Sequence, residues 1–575
     1  MLKTYSMSLL RCLKLIVVGS LALFSGQSCW ALIGTVDVNG DGLLISAAPE
    51  NHFAPVDQTT AERPFLFWLN ADQDDLDFYE SWPIDRPDFV DDEPGSLRDM
   101  EDLARLMISS SAGVQELAAD SKLVVRWVDS EGSGAIRLWQ SADPNCSRRY
   151  LEETSAGQMQ LSAPFSNSLG VTSAAGGPIE IRLDLWSAEQ RQAGQICLLF
   201  EGVSQGIGSI RLALKSASGE AIVAQPVHLS LRPVKSFYER VAVAWPEDIS
   251  APWTYWEQPP EPDLQWQPEK MGEPFVRPWY ETTDTIVWVH GWIPQDEENY
   301  RRTVVFSFET MWKRLWHQGF RGRVIHFRWP TVKRHEALGL HISEYRAFKS
   351  APQLLSFINS LPPDNRIHVT THSLGGVLLM EALKLGLDVN AALFQVSAVA
   401  SESFDQSEAL VISNMANILP RDAEHMTHAG YLSEAKTPIY NAYNPADFTW
   451  FGWNAAQRFE KRVAGFGRRY GHNSRAPEGE HLQLYRFGFK QRAVTDPHEG
   501  MASAVPATSQ ALGGEGRVQG VVAESFNLHE PPYRFDTDHV AMWRWNPQKV
   551  LPYSNLILDI FDIPYNDAGL AGHLQ

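Results

Sequence analysis

The chain has 575 residues, of which 44% are hydrophobic and 21% are charged, and its net charge at pH 7 is −20. This length exceeds what one domain normally contains, and the composition is ordinary for globular domains with full hydrophobic cores. The strong negative charge argues against nucleic acid and against anionic membrane surfaces as main partners.

Residues 1–31 have the organisation of a secretory signal peptide. Lys3, Arg11 and Lys14 form a basic region, residues 15–24 form an apolar core, and Ala31 ends a small-residue cleavage site. Lipidation of Cys29 is the weaker alternative, because the residues before it fit that modification poorly. We therefore predict export to the periplasm or the extracellular space, with no transmembrane segment in the mature chain.

Export also bears on the cysteines. Removal of residues 1–31 leaves Cys146 and Cys197 from the four cysteines of the chain. An oxidising compartment favours a disulfide between these two residues, and two buried free thiols are the alternative. The sequence has no C-x-x-C pair, so it gives no support to a cysteine-based zinc or redox site.

Residues 32–243 are predicted to form an all-β, sandwich-like accessory domain, because short apolar segments alternate there with turn sequences. One helix is predicted, over Asp99–Ser109. The strand candidates are Pro64–Asn70, Lys122–Val128, Ala135–Gln140, Met159–Ala163, Ile179–Trp186, Ile196–Phe200, Ile210–Lys215 and Ile222–Leu231.

Two acidic features lie in this region. Asp37, Asn39 and Asp41 have the spacing of the start of an EF-hand loop, although Ala48 stands where the twelfth-position glutamate belongs. Residues 72–102 carry 13 acidic residues against two arginines. Structural calcium held by Asp37, Asn39 and Asp41 is one interpretation, and a solvated acidic surface is the other.

Residues 244–280 form a linker rich in Pro and Trp, whose aromatic rings favour burial against the next domain. From residue 281 to 575 strand and helix patterns alternate, which predicts a mostly parallel sheet with active groups at the carboxyl ends of its strands. The predicted strands are Thr285–Val289, Arg323–Trp329, Ile367–Thr370, Ala391–Ser397, Pro438–Tyr443 and Leu482–Phe487. The predicted helices are Glu298–Gln318, Glu344–Leu361 and Val377–Leu385.

The most informative motif surrounds Ser373. A buried strand, the turn His372-Ser373-Leu374-Gly375-Gly376 and an apolar helix follow one another, with Gly386 at the expected end of the helix. This order is typical of a nucleophile elbow, which raises a serine hydroxyl above the sheet beside free helix N–H groups. Ser204 lies in a complete G-x-S-x-G motif, but strand patterns flank it on both sides, so we predict a non-catalytic hairpin loop there.

A nucleophilic serine needs a base, and the base needs an orienting carboxylate. Asp447 follows the strand that ends at Tyr443 and is our candidate acid, with Glu402 and Asp405 as alternatives. His539 is our candidate base, and two further histidines that follow the last predicted strand, His498 and His529, are the alternatives.

An oxyanion hole needs two N–H donors near the nucleophile. We expect one from Leu374, directly after the serine. We expect the other from Trp292, because His290-Gly291-Trp292 follows the early apolar strand Thr285–Val289. His290 is expected to shape this loop and not to act in proton transfer.

The His290-Gly291-Trp292 and His372-Ser373-Leu374-Gly375-Gly376 motifs resemble those of α/β-hydrolases of the lipase and esterase type, although Thr371 replaces the first glycine. The resemblance covers residues from about 281 onward. It implies hydrolysis of a small-molecule or lipid ester through an acyl-enzyme, with no cofactor for catalysis.

The predicted cleft rim consists of His290, Gly291, His372, Trp450 and Trp453. The aromatic residues after Asp447 suit acyl chains. Two alternatives remain open: a non-catalytic binding protein on a hydrolase scaffold, and a peptidase or acyltransferase that uses the same triad.

Overall fold

The computed structural model describes residues 32–38, 40, 44, 57–70, 100–110, 119–141, 143, 146–151, 168–216, 221–244, 264–269, 282–292, 304–331, 337–399, 411–412, 427–428, 435–445, 522–535, 542 and 547–565. The predicted signal peptide and the predicted strands Met159–Ala163 and Leu482–Phe487 lie outside these residues.

The N-terminal region contains a nine-stranded sheet. Its strands are β1 (Leu32–Thr35), β2 (Phe65–Trp68), β3 (Ala104–Ser110), β4 (Lys122–Gln140), β5 (Gly170–Ser173), β6 (Ile179–Arg182), β7 (Gln195–Lys215), β8 (Ala221–Val223) and β9 (Val227–Arg232). The order β1-β3-β7-β4-β5 forms its main path, and β6, β8 and β9 pair with other parts of β4 and β7. Hydrogen bonds therefore join these strands into one continuous sheet, in which β4 and β7 pair with most of the other strands.

Two long strands, β4 and β7, form the centre of this sheet, where the sequence predicted two short strands each. Their pairing shifts register near Gly132 and Ala135, so β-bulges replace the predicted turns. The glycines of β7 allow β4 to approach closely. A Cβ on Gly206 would lie 2.4 Å from the Gly134 nitrogen, and one on Gly208 would lie 2.6 Å from the Trp127 ring. A glycine-rich segment can thus mark a crowded strand crossing as well as a turn.

Two further predictions in this region, for Ser204 and for residues 99–109, were also wrong. Ser204 lies inside β7 and not in a hairpin loop, and its Oγ donates a hydrogen bond to the Ser133 carbonyl at 2.7 Å. The predicted helix Asp99–Ser109 is a short 3-10 helix, Met100–Asp102, followed by β3. β3 pairs with both β1 and β7 and is buried from Ala104 to Ser109, so it lacks the alternation that usually identifies a strand.

The second sheet has eight strands in the order β11-β10-β13-β12-β14-β15-β18-β19. All neighbouring pairs are parallel except the edge pair β10–β11. β10 and β11 belong to this sheet although the sequence placed them in the accessory domain and the linker. The strands are β10 (Glu239–Val243), β11 (Trp266–Pro268), β12 (Asp284–Val289), β13 (Arg323–Arg328), β14 (Arg366–His372), β15 (Ala391–Gln395), β18 (Ile439–Tyr443) and β19 (Val522–Asn527), with a separate short pair β16 (Val411–Ile412) and β17 (Thr427–His428).

Helices connect several of these strands. They are α1 (Ala188–Gln192) in the N-terminal region, then α2 (Phe306–His317), α3 (Ala337–Asn359), α4 (Gly375–Lys384) and α5 (Pro547–Ile560). α4 stops just before Gly386, as predicted. Gly386 has φ +98°, a backbone conformation in which a residue with a Cβ atom would be strained. The Leu387 N–H bonds to the Ala382 carbonyl at 2.9 Å and closes the helix end.

The helix α2 joins the two sheets into one molecule. Its tryptophans pack against the N-terminal strand β2, with ring centroids 5.1 Å apart for Trp68–Trp312 and 5.0 Å for Trp68–Trp316. Lys313 Nζ lies 2.6 Å from Asp102 Oδ1, and both side chains are fully buried. A single hydrophobic core therefore continues from the N-terminal sheet through α2 into the parallel sheet.

Candidate active site

Ser373 sits at the turn between β14 and α4 with a left-handed backbone, φ +52°. Such a conformation costs roughly 1–2 kcal/mol for a residue with a side chain, so the surrounding structure must hold it. The Ser373 N–H bonds to the Gln395 carbonyl at 3.0 Å, and the Ser373 carbonyl accepts from the Gly376 N–H at 3.1 Å. The strand, strained turn and helix thus form together the local geometry expected of a nucleophile elbow.

The glycine pair after this turn lets other backbone segments approach closely. A Cβ on Gly375 would lie 2.4 Å from the His290 carbonyl oxygen, and one on Gly376 would lie 1.8 Å from Ser397 Oγ. Thr371, which replaces the first glycine of the motif, is fully buried inside β14. Close backbone approach therefore requires glycine at the two positions 375 and 376 after the serine, whereas position 371 before it accommodates a threonine side chain.

The loop after β12 reaches the serine directly. A Cβ on Gly291 would lie 2.9 Å from Ser373 Cβ and 3.0 Å from the His372 carbonyl oxygen. Trp292 follows at this position, half-buried and packed against the core. The structure thus brings the His290-Gly291-Trp292 loop against the Ser373 turn, as a paired oxyanion loop and nucleophile require.

His290 is fixed inside the protein. Its Nδ1–H donates to the Gly291 carbonyl at 2.7 Å, and its Nε2 accepts from the Trp329 N–H at 3.2 Å. The Trp329 indole stacks on the imidazole with centroids 5.5 Å apart and donates to the His290 carbonyl at 2.7 Å. Burial lowers the pKa of His290 to about 3, so it stays neutral and both ring nitrogens are engaged in holding the loop.

The turn after β15 supports the serine from the other side. The Ala398 N–H donates to the Ser373 carbonyl at 3.0 Å, and Val396 has an unusual positive φ of +37°. The buried Gln395 side chain donates to Thr370 Oγ1 and accepts from the Tyr553 hydroxyl of α5. Trp329, Gln395 and Tyr553 were missed by the sequence analysis, because their partners lie far away in the chain.

The predicted acid and base lie outside the described residues. Asp447 follows β18 in the sequence, and His539 follows β19. The last strand of the sheet is β19, which the sequence analysis did not predict, so His539 comes much sooner after a strand than expected. Trp450, Trp453 and His498, together with the alternative acids Glu402 and Asp405, also lie outside the described residues.

His529 lies two residues after the end of β19 and is exposed. Its Nδ1–H donates to the Phe535 carbonyl at 2.8 Å. In a catalytic triad the Nδ1–H of the base donates to the carboxylate of the acid, but here it donates to a backbone carbonyl. The ring of His529 is therefore engaged in the turn that precedes the segment carrying His539.

The remaining predicted sites lie in the N-terminal region. A disulfide joins Cys146 and Cys197. Asp37 Oδ2 pairs with Arg105 at 2.8 Å, while Asn39 and Asp41 lie outside the described residues. Within the described part of the chain, no cluster of His, Cys, Asp and Glu side chains has a metal-binding arrangement, and no helix has the length and apolarity needed to cross a bilayer.

No protein-family model and no curated protein matches the chain. An esterase domain of a Rhodothermus marinus protein is 12% identical, with 29% of this chain and 68% of that one covered and a TM-score of 0.18. The type II thioesterase YbtT of yersiniabactin biosynthesis is 16% identical, with 30% and 79% covered and a TM-score of 0.17. The acylaminoacyl peptidase of Pyrococcus horikoshii is 13% identical, with 62% and 48% covered and a TM-score of 0.26. Similarity this low carries no argument about activity, which must come from the geometry around Ser373.

Proposed function

We propose that the chain is an exported serine hydrolase of the α/β-hydrolase type that cleaves carboxylic esters of small molecules or lipids. The observation that carries this proposal is the contact between two motifs. The left-handed Ser373 directly follows a central parallel strand, and Gly291 of the neighbouring strand's loop packs directly on it. An ordinary strand–turn–helix connection needs neither the strained serine nor the close glycine.

In the proposed reaction Ser373 Oγ attacks the ester carbonyl carbon while His539 accepts the hydroxyl proton and Asp447 orients the imidazole. The carbonyl oxygen gains negative charge and is held by the N–H groups of Leu374 and Trp292. Collapse expels the alcohol, which takes the proton from His539, and leaves an acyl group on Ser373. Water activated by the same base then releases the acid and restores the serine.

Hydrogen bonds from buried residues hold the two loops of the proposed site in place. His290 remains neutral and hydrogen-bonded, so it holds the oxyanion loop and does not compete for the proton. Gln395 and the turn after β15 hold the Ser373 backbone. This chemistry needs no metal or organic cofactor, since the nucleophile, base and oxyanion donors all come from the chain.

The proposal is tested by labelling the purified mature protein with a fluorophosphonate probe. We expect labelling of the wild type and of Ser204→Ala, and none of Ser373→Ala, because the probe reacts only with an activated serine. Hydrolysis of p-nitrophenyl esters of increasing acyl length then reports the substrate class. A folded wild type that neither labels nor hydrolyses any ester of the series would contradict the proposal and favour the binding-protein alternative.

A further inference from the structure

Arg314 on α2 connects the N-terminal region with the C-terminal part of the chain. Its Nε forms an ion pair with Glu101 Oε1, and both side chains are 3% exposed. Its Nη1 donates to the Met542 carbonyl at 3.0 Å. Glu101 is held in turn, because its own carbonyl bonds to His317 Nε2 at 2.7 Å. One guanidinium therefore links the 3-10 helix Met100–Asp102, α2 and a residue close to the C-terminus.

Met542 ends a segment that is also held at its beginning. The Phe535 N–H donates to the Leu528 carbonyl at 2.8 Å, and the Phe535 carbonyl accepts from His529 Nδ1 at 2.8 Å. Phe535 and Met542 are both buried. In sequence, the proposed base His539 lies between these two anchored residues. Arg314 supplies the second of the two anchors, at Met542.

The chemistry of arginine suits this task. A guanidinium is planar, so a carboxylate bound at one edge fixes the direction of the remaining N–H groups. A buried charged donor also makes a stronger hydrogen bond to a carbonyl than a neutral donor does. Glu101 thus determines the direction in which Arg314 presents its Nη1–H to Met542.

We propose that Glu101 and Arg314 are positioning residues, through which the N-terminal region holds Met542, three residues after the proposed base His539 in the sequence. This inference rests on the proposed function for its catalytic meaning. A displacement of about 1 Å of a catalytic group can lower the rate on the order of a hundredfold. The N-terminal region then contributes to catalysis although none of its residues belongs to the proposed triad.

The chain offers a matched control. Lys313, the neighbour of Arg314, forms a second buried ion pair with Asp102, the neighbour of Glu101. Both pairs join the same two elements, but the bond to Met542 comes from Arg314. Replacement of both members of a buried pair by neutral groups of similar size is often tolerated, whereas removal of one member is costly. The test is therefore the double variant Glu101→Gln/Arg314→Met beside the control Asp102→Asn/Lys313→Met.

Three quantities are measured on the full mature chain: thermal stability, kcat and KM for an ester that the wild type hydrolyses, and hydrogen exchange of the peptide that covers residues 535–546. We expect similar losses of Tm in both double variants. In the test variant we expect kcat to fall roughly tenfold to a hundredfold with KM nearly unchanged, and amide exchange over residues 535–546 to rise. The control variant keeps both kcat and exchange near the wild-type values.

Equal effects of the two double variants on kcat and on exchange would overturn the positioning role, since both would then reflect general loosening. Unchanged exchange in the test variant would overturn it as well. Fluorophosphonate labelling of Ser373 in the wild type separates this outcome from failure of the proposed function. If the wild type does not react, the catalytic part of the inference falls with that function, while the exchange data still decide whether Arg314 holds the segment.

Discussion

At the scale of single residues, Gly291 makes the contact on which the proposed active-site geometry depends. We expect Gly291→Ala to lower kcat/KM by roughly a hundredfold to a thousandfold, the cost of losing one oxyanion donor. The reason is steric, because the new Cβ would lie 2.9 Å from Ser373 Cβ and would push the two loops apart. Steady-state kinetics on an ester substrate provides the measurement.

Gly386→Ala is the control for this prediction. Gly386 has φ +98°, and a Cβ there meets no atom within 4 Å. The substitution therefore costs roughly 1–2 kcal/mol of stability through backbone strain alone and leaves the active site in place. A loss of activity in Gly386→Ala as large as in Gly291→Ala would show that general destabilisation explains both.

Ser204 and Ser373 show which features of a single residue can be predicted from the local sequence. The motif around Ser204 is complete in its letters, yet the residue lies in a long strand. The motif around Ser373 is incomplete, yet the strand and helix beside it set the left-handed turn. Local context therefore predicted the order of strand, turn and helix around Ser373. Local context could not predict Trp329, which binds His290 across the loop, because nothing in the sequence connects the two residues.

At the scale of elements, the disulfide constrains the N-terminal sheet. Cys146 and Cys197 are 51 residues apart, and Cys197 lies in the central strand β7. Loop-closure entropy for such a separation gives about 4 kcal/mol of stabilisation. We expect Cys146→Ala/Cys197→Ala to lower the free energy of unfolding by about this amount, measured by urea unfolding.

The wild type in a reducing agent is the companion measurement for the disulfide. Reduction should lower its stability toward that of the double alanine variant, which itself should not respond to the reducing agent. Equal stability of oxidised and reduced wild type would mean that the bond does not constrain the unfolded chain.

The elements also show where sequence patterns lose information. β12 and β15 are buried along their whole length and consist mostly of an apolar run, so they were predictable. Among the described strands, β19 lies at the edge of the sheet and pairs with β18 alone. Its sequence, with Glu524 and Ser525 at its centre, lacks both an apolar run and a clear alternation. The base was therefore predicted at an apparently long distance from its strand.

At the scale of the whole molecule, the core shared by the two sheets contains three neutral histidines. Burial lowers the pKa of His290 and of His317 to about 3, and it lowers the pKa of His326 well below its usual value. In the unfolded chain each of them titrates near 6.5. Below pH 6.5 the unfolded state therefore binds more protons than the folded state, and stability falls as the pH falls.

One buried carboxyl opposes this trend. Burial raises the pKa of Glu381 on α4 to about 7, so between pH 7 and 4.5 the folded state holds a proton that the unfolded state releases. Between about pH 6 and 4.5 the three histidines and Glu381 together leave a net difference of about two protons, or about 3 kcal/mol of stability lost for each pH unit. By pH 4.5 this loss is comparable to the lower end of the stability of about 5–15 kcal/mol that is typical of folded proteins.

The variant His326→Phe isolates one of these protons. His326 stacks on Phe308 with ring centroids 5.0 Å apart and lies 5.0 Å from the Trp288 ring, so a phenyl ring suits the site in shape and polarity. We expect the slope of unfolding free energy against pH, measured by urea unfolding between pH 6.5 and 4.5, to decrease by about 1.4 kcal/mol per pH unit. An unchanged slope would mean that His326 is protonated in the folded protein. The core that joins the two sheets would then tolerate a buried charge, which its aromatic surroundings argue against.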